Sequence, residues 1–400
     1  MTTSHIDPAQ KVASDFALGG SKSDALEGWS VWSLWSRSVD AFTIMATLAL
    51  FAIGVVLAFA ASPALAEDNK LDAFYYAWRH LQFGLPAFAL MFVLSFFTAR
   101  NVRRTGTLLA LVGLIALILL PIYGVSHGKG AIRWFSLPGG ISVQPTEFLK
   151  PGLVIVCAWM LSALAEKDRQ IAWMGGLVSF FFVAVAVGLL VAQPDYGQAA
   201  LIVAVWGAMF FVSGAAPWLL AGILLLAFGV GFIGYQVEPH LASRIETYLN
   251  PVGSVSHQIQ MAERAVVEGG WFGRGLGEGI AKASLPDAHA DFIFAVAAEE
   301  YGFVLAVAIL GLFAYITLRA LWRLSGSDDA FVRVAGIGLA LLFGLQAFVN
   351  MAVTVQLLPA KGMTLPFVSY GGSSILASGI VMGMLLALTR RVPKNMGREI

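Results

Sequence analysis

Apolar runs of about twenty residues recur from residue 41 to residue 389, and no soluble core has a use for so many of them. Backbone N–H and C=O groups in hydrocarbon find no water, so each run must pair its own groups, as a helix does. The runs lie near 41–61, 80–99, 105–124, 147–165, 171–191, 198–214, 217–237, 292–318, 331–355 and 373–389. They predict an all-α polytopic membrane protein with about ten spanning helices. Charged residues make up 12% of the chain, about half the roughly 25% of a soluble domain. A net charge of +1 gives no reason to expect a nucleic-acid partner. Cys157 is the single cysteine, so an internal disulfide and a cysteine-based zinc site are excluded, and a small buried hydrophobe is expected there.

Orientation follows from the links between runs. Arginines and lysines collect in 99–104, 166–169, 319–333 and 390–394. With ten spans, all four fall on one side together with the N-terminus, which the positive-inside rule assigns to the cytoplasm. Residues 1–40 are polar and read as a cytoplasmic segment rather than a signal peptide. Trp29, Trp32 and Trp35 precede the first span as an interfacial anchor. Residues 41–391 form the membrane domain and 392–400 a cytoplasmic tail. The opposite face receives 125–146, 192–197, 238–291 and 356–372, of which 238–291 is a long extracytoplasmic loop between helices seven and eight.

The polar residues on that face carry the chemistry. Glu147 and Lys150 stand three apart at a helix start, in reach of one another, with Thr146 as a candidate cap. Asp195 sits in a Pro-Asp-Tyr-Gly turn. Arg274 lies in the glycine-rich stretch 269–279, which matches no nucleotide fingerprint but allows backbone N–H groups to approach a phosphate. Asp291 follows His289 and opens an apolar helix, where it reads either as an N-cap or as a general base at the water–membrane boundary. Glu299 and Glu300, eight and nine residues further, are deep and point differently around the helix, so at least one should brace neighbouring helices. The stretch 358–374 brings Lys361, Ser369, Ser373 and Ser374 to a helix N-terminus, an anion-binding arrangement or a capped turn.

Five segments together resemble the SEDS family: Gln144 to Lys150, Gln193 to Gly197, Gly270 to Gly277, His289 to Phe294 with Glu299 and Glu300, and Leu365 to Ser374. The resemblance runs in order from about residue 41 to 391. It implies a ten-span peptidoglycan glycosyltransferase that polymerises lipid II beside a class B penicillin-binding transpeptidase, here with other divisome proteins at the division septum of the inner membrane. Pro359-Ala360-Lys361-Gly362 is similar to the division branch of the family, with Ala360 departing, more than to the elongation branch. Tyr301 is a mild departure, and 244–257 match poorly.

By resemblance Asp291 is the essential acid. Arg133, Lys150, Arg274, His289, Lys361, Ser369 and Ser373 are candidates for the lipid-linked pyrophosphate and sugars, and Glu147, Asp195, Glu299 and Glu300 for a polar network. No metal ligand set stands out, although a divalent cation such as Mg or Mn could share the pyrophosphate charge. A lipid II flippase, an elongation polymerase and a divisome scaffold are the competing readings. Polar motifs gathered at one surface favour chemistry there over transport.

Overall fold

The computed structural model describes residues 31–68, 70–126, 132–138, 141–163, 169–215, scattered positions between 218 and 246, 254–280, 285, 288–359 and 362–391. The expected span 217–237 therefore falls largely outside the described residues, as do residues 1–30, 392–400 and Lys361.

The other nine expected spans are helices. A short helix α1 (Val31–Ser38) leads into α2 (Ala41–Asp68), α3 (Tyr75–Ser95) and α4 (Ala99–Tyr123). Then come β1 (Val125–Ser126), β2 (Ile132–Leu137) and β3 (Ile141–Val143), followed by α5 (Pro145–Ser162), α6 (Arg169–Ala192) and α7 (Tyr196–Val212). The last helices are α8 (Ser254–Gly269), α9 (Ile293–Ser325), α10 (Ala330–Thr354) and α11 (Gly372–Leu388). Among the described residues five helices are long and apolar enough to cross a membrane: those at Ala41–Pro63, Ala99–Tyr123, Trp173–Ala192, Ile293–Ser325 and Ala330–Thr354. Large side chains such as Leu85, Ile122 and Phe181 stay on the outside of the bundle, as a protein solvated by lipid allows. The chain is a multi-pass membrane protein.

One feature departs from a purely helical plan. Part of the loop 125–146 is a three-stranded antiparallel sheet ordered β1-β2-β3, in which Val125 pairs with Trp134 and Phe135 with Val143. Its position at one end of the bundle keeps the open sheet edges out of hydrocarbon.

Packing is set by small residues. A Cβ on Gly152 of α5 would overlap Ala110 of α4, and one on Gly379 of α11 would overlap Ala87 of α3, so these helix pairs approach to backbone contact. At the end opposite the sheet, the basic end, Arg319 donates to Asp40 at 2.6 and 2.9 Å, and Arg323 lies 3.6 Å from it. Burial pushes the Asp40 carboxyl up, but the Arg319 hydrogen bond, Arg323 and Thr43 outweigh it and leave it below the usual carboxylate range. Arg391 completes this knot, donating through its backbone N–H to Ser38 O (3.1 Å) and through Nη2 to Arg323 O (2.6 Å).

Candidate active site

The sheet end, here the loop end, holds two polar assemblies. The first grows from the start of α5. Pro145 at the first helical position fixes the entry of that helix, and Gln144, not Thr146, occupies the cap position. Thr146 lies inside the first turn, because the proline starts the helix two residues earlier than a threonine cap requires. Glu147 and Lys150 then point inward together, at 2.7 Å. Lys150 Nζ also donates to Gln198 Oε1 on α7 (3.0 Å) and Gln346 Oε1 on α10 (2.7 Å), while Gln198 Nε2 donates to Glu147 Oε1 (3.1 Å). All three ammonium protons are thus engaged within the chain, and Lys150 is 2% exposed.

Arg133 and Asp195 meet beside this cluster. Arg133 on β2 donates to the carbonyls of Gln193 (3.4 Å) and Pro194 (2.5 Å), pinning the sheet to the turn between α6 and α7. Asp195 is buried in that turn. Burial pushes its carboxyl above the ordinary range, and Arg133 and Lys150 pull it back only in part.

The second assembly surrounds Asp291. The helix cap is Phe292, and Asp291 stands one residue before it, so the carboxylate is left outside the helix rather than capping it. Its backbone carbonyl accepts from Asn350 Nδ2 of α10 at 2.9 Å. Asp291 Oδ2 lies against Gly362, where a Cβ would sit 3.4 Å away. His289 is buried, with its ring 4.7 Å from Tyr76 and 5.2 Å from Tyr370. Burial raises the Tyr370 hydroxyl to about 12 against the opposing pull of Arg79, so it remains an O–H donor at neutral pH.

The loop before α11 is tied down by its own hydroxyls. Ser369 Oγ donates to Ala290 O (2.5 Å) and accepts from Leu365 N (2.8 Å), while Tyr370 N donates to His289 O (2.9 Å). Ser373 Oγ accepts from Gln144 N (3.0 Å) and donates to Ser142 O (3.2 Å), joining α11 to β3. Neither Ser373 nor Ser374 caps α11. Gly371 occupies that position, because both hydroxyls have other partners, Ser374 with Thr364.

Glu299, Glu300 and the glycine-rich stretch belong together. Helix α9 breaks at Gly302 (φ 76°, ψ −171°), which leaves backbone groups without their helical partners. Residues 270–275 supply the missing partners. Arg274 N and Gly275 N donate to the Glu299 and Glu300 carbonyls (2.9 and 3.1 Å), and Phe303 N and Val304 N donate to Gly270 O and Trp271 O (2.8 and 3.3 Å). Glu299 Oε1 accepts from Ile280 N at 2.7 Å. The N–H groups of Arg274 and Gly275 are therefore spent on α9, and the Arg274 side chain pairs with Glu268 at 2.8 Å. No local pattern in the sequence assigns a role to Asn350, Gln346, Gln198, Tyr76 or Arg79, and Tyr370 stands out only within the segment Leu365 to Ser374. A polar residue four after another on an apolar run, as Gln346 and Asn350 are on α10, is the one signal that could have found two of them.

Among the described residues no three of His, Cys, Asp and Glu converge to hold a metal ion. Comparison with known proteins gives a consistent answer. The FtsW/RodA/SpoVE model of cell cycle proteins matches residues 41–394. A protein of Caulobacter vibrioides named "Probable peptidoglycan glycosyltransferase FtsW" is 39% identical, covering 91% of this chain and 92% of its own. A protein of Trichlorobacter lovleyi with the same name is 36% identical over 88% and 93%. A chain from a peptidoglycan synthase complex, described as coordinating polymerization and crosslinking, superimposes with a TM-score of 0.72 at 27% identity, over 88% of this chain and 97% of that one. Rod shape determining protein RodA of Thermus thermophilus does so with a TM-score of 0.64 at 25% identity, over 88% and 96%.

Proposed function

Since the chain belongs to the FtsW/RodA/SpoVE family of cell cycle proteins, we propose that the loop end of its bundle polymerises lipid II, with Asp291 as the base that activates the acceptor sugar. The protein is a peptidoglycan glycosyltransferase of septal wall synthesis in cell division. Glycan extension requires the 4-hydroxyl of an acceptor GlcNAc to lose its proton and attack C1 of MurNAc on the donor. The C1–O bond to undecaprenyl pyrophosphate breaks, the pyrophosphate leaves with the bonding pair, and the configuration inverts. One positioned carboxylate suffices for the proton.

The observation that carries this reading is the placement of Asp291. It stands at the mouth of α9, partly exposed, its carbonyl held by Asn350 and its carboxylate against Gly362. The half-buried His289–Tyr76–Tyr370 corner beside it offers faces for a sugar and, from Tyr370, a donor hydroxyl. In this reading Arg133 and Lys361 serve the leaving pyrophosphate, Ser369 and Ser373 hold the loops that frame it, and Lys150 supports the site from below. A divalent cation would supply Lewis-acid charge to the pyrophosphate. Dependence of the rate on Mg or Mn measures that contribution. The loop end then faces outward from the inner membrane at the septum. Both termini are cytoplasmic, as the cluster of Arg319, Arg323, Arg390 and Arg391 at the opposite end favours. The partner is a class B penicillin-binding transpeptidase, supported by the crosslinking named for the complex that contains a similar chain.

Purified protein, supplied with that transpeptidase and labelled lipid II, tests the reading. Asp291→Asn is expected to lower polymerisation by about 10²–10⁴-fold, the range of a positioned general base. Full activity of that variant overturns the assignment, and lipid II translocation in liposomes without polymerisation would identify a flippase. A milder effect is expected at Gly362, whose φ of 61° disfavours a side chain by about 1–2 kcal/mol. The added methyl itself would only reach ordinary contact with the Asp291 carboxylate, so the expected fall in kcat of Gly362→Ala, about tenfold, comes from the strained loop shifting beside the base. An unchanged kcat in the same assay would separate Gly362 from the site.

A further inference from the structure

We propose that Asn350 is the positioning residue for Asp291, its side-chain amide fixing the spacing between the loop that carries the carboxylate and the loop that covers it. The inference rests on Asp291 being the acceptor-activating base.

Asn350 is 2% exposed on α10, one turn from its loop end. Its Nδ2 donates one proton to Asp291 O at 2.9 Å and the other to Met363 O at 2.5 Å. These carbonyls lie 59 residues before and 13 residues after it, on segments that do not otherwise share an element. Both N–H bonds of a carboxamide lie in one plane at a fixed angle, so one amide bonded to two carbonyls sets their separation. The amide has one workable orientation, since the flipped form would face an oxygen toward two carbonyl oxygens. Its Oδ1 is buried and accepts no bond among the described residues, so the two donors are the contacts that set the orientation.

The geometry of the clamp is directed at the carboxylate. Met363 is the neighbour of Gly362, against which Asp291 Oδ2 rests. The amide therefore grips the backbone beneath Asp291 and the backbone next to its carboxylate at the same time. One turn further along α10, Gln346 Nε2 donates to Thr364 O at 3.2 Å while its Oε1 accepts from Lys150. Two side chains of one helix thus hold residues 363 and 364, and the clamp is continuous with the Glu147–Lys150 cluster. Asn350 itself touches no group that reacts. A displacement of about 1 Å at a catalytic group costs up to about a hundredfold in rate.

The test compares Asn350→Leu with the unsubstituted protein in the same polymerisation assay, with transpeptidase partner present. The expected result is a kcat about tenfold to a hundredfold lower, KM for lipid II within about threefold, and an acid limb of the pH–kcat profile displaced along the pH axis. Leucine is a good helix former of similar size; should it fail to give folded protein, Asn350→Asp, which keeps the shape and replaces the donors by an oxygen, is read in the same way. An unchanged kcat, or a fall with an unmoved pH profile that tracks the folded fraction alone, overturns the proposal. In the Asp291→Asn background the Asn350 substitution is expected to add little further loss, and two independent losses that multiply would also overturn it. Full activity of Asp291→Asn would instead remove the reading on which the proposal rests, so the two failures are distinguishable.

Discussion

Lys150→Met is expected to destabilise the folded protein by about 3–5 kcal/mol, the range for removing one partner of a buried ion pair. Methionine matches the length and volume of the lysine stem, so packing is conserved and the loss is electrostatic. Glu147 would keep a single partner, Gln198 Nε2, for a carboxylate that is 4% exposed. The amide oxygens of Gln198 and Gln346 would lose the ammonium donor together. Because these residues come from α5, α7 and α10, the damage spreads to three helices at once. Thermal unfolding in detergent should show a single lowered transition. The pair Glu147→Gln with Lys150→Met removes both charges, and it is expected to be markedly more stable than the sum of the single losses. Strict additivity in that cycle would mean that the cluster is not a coupled unit.

What the sequence disclosed, and what it withheld, follow from the range of the forces involved. Nine helices were legible because a run such as 105–124 must satisfy its own backbone, a requirement local to the run. The pairing of Glu147 with Lys150 was legible for the same reason, being an i,i+3 contact. The completion of that pair by Gln198 and Gln346 joins residues 48 and 196 positions away, which no local pattern encodes. Ser373 fell between these cases. It is at a helix start, as expected, yet its hydroxyl is committed to Gln144 and Ser142 rather than to its own helix. The glycines of 269–279 carried the most misleading signal. Glycine permits close approach of any backbone, and a sequence does not say whether the approaching group is a phosphate or, as here, the broken turn of α9. Tyr76 and Arg79 carried no local signal, and Tyr370 stood out only as part of the segment Leu365 to Ser374. Only the fold brings Tyr76 and Tyr370 beside His289, and Arg79 near enough to Tyr370 to act on its hydroxyl.

Gly302→Ala is expected to be at least as damaging as the loss of Lys150, and for a reason confined to backbone. At φ 76° and ψ −171° residue 302 occupies a region open essentially to glycine alone, where another residue costs of order 1–3 kcal/mol. The added Cβ would overlap Gly273 N and Trp271 O, both main-chain atoms that cannot swing away. Relief requires the 270–275 segment to withdraw, and with it go four hydrogen bonds that close the break in α9. At about 0.5–1.5 kcal/mol each, these add roughly 2–6 kcal/mol, and more where the stranded groups face hydrocarbon. Gly273→Ala attacks the same junction from the loop side, where its Cβ would overlap the Glu300 carbonyl at a φ of 79°. The two variants should therefore share one phenotype: little folded protein recovered from the membrane and, in what is recovered, loss of hydrogen-exchange protection at Phe303 and Val304 together. Trp271 and Phe272, 69% and 82% exposed toward the surroundings of the bundle, offer a control. Replacing either with leucine keeps the backbone pairing, so normal protection at 303 and 304 is expected there. Protection lost equally in that control would show that side-chain contacts with lipid, rather than the glycine junction, hold the break closed.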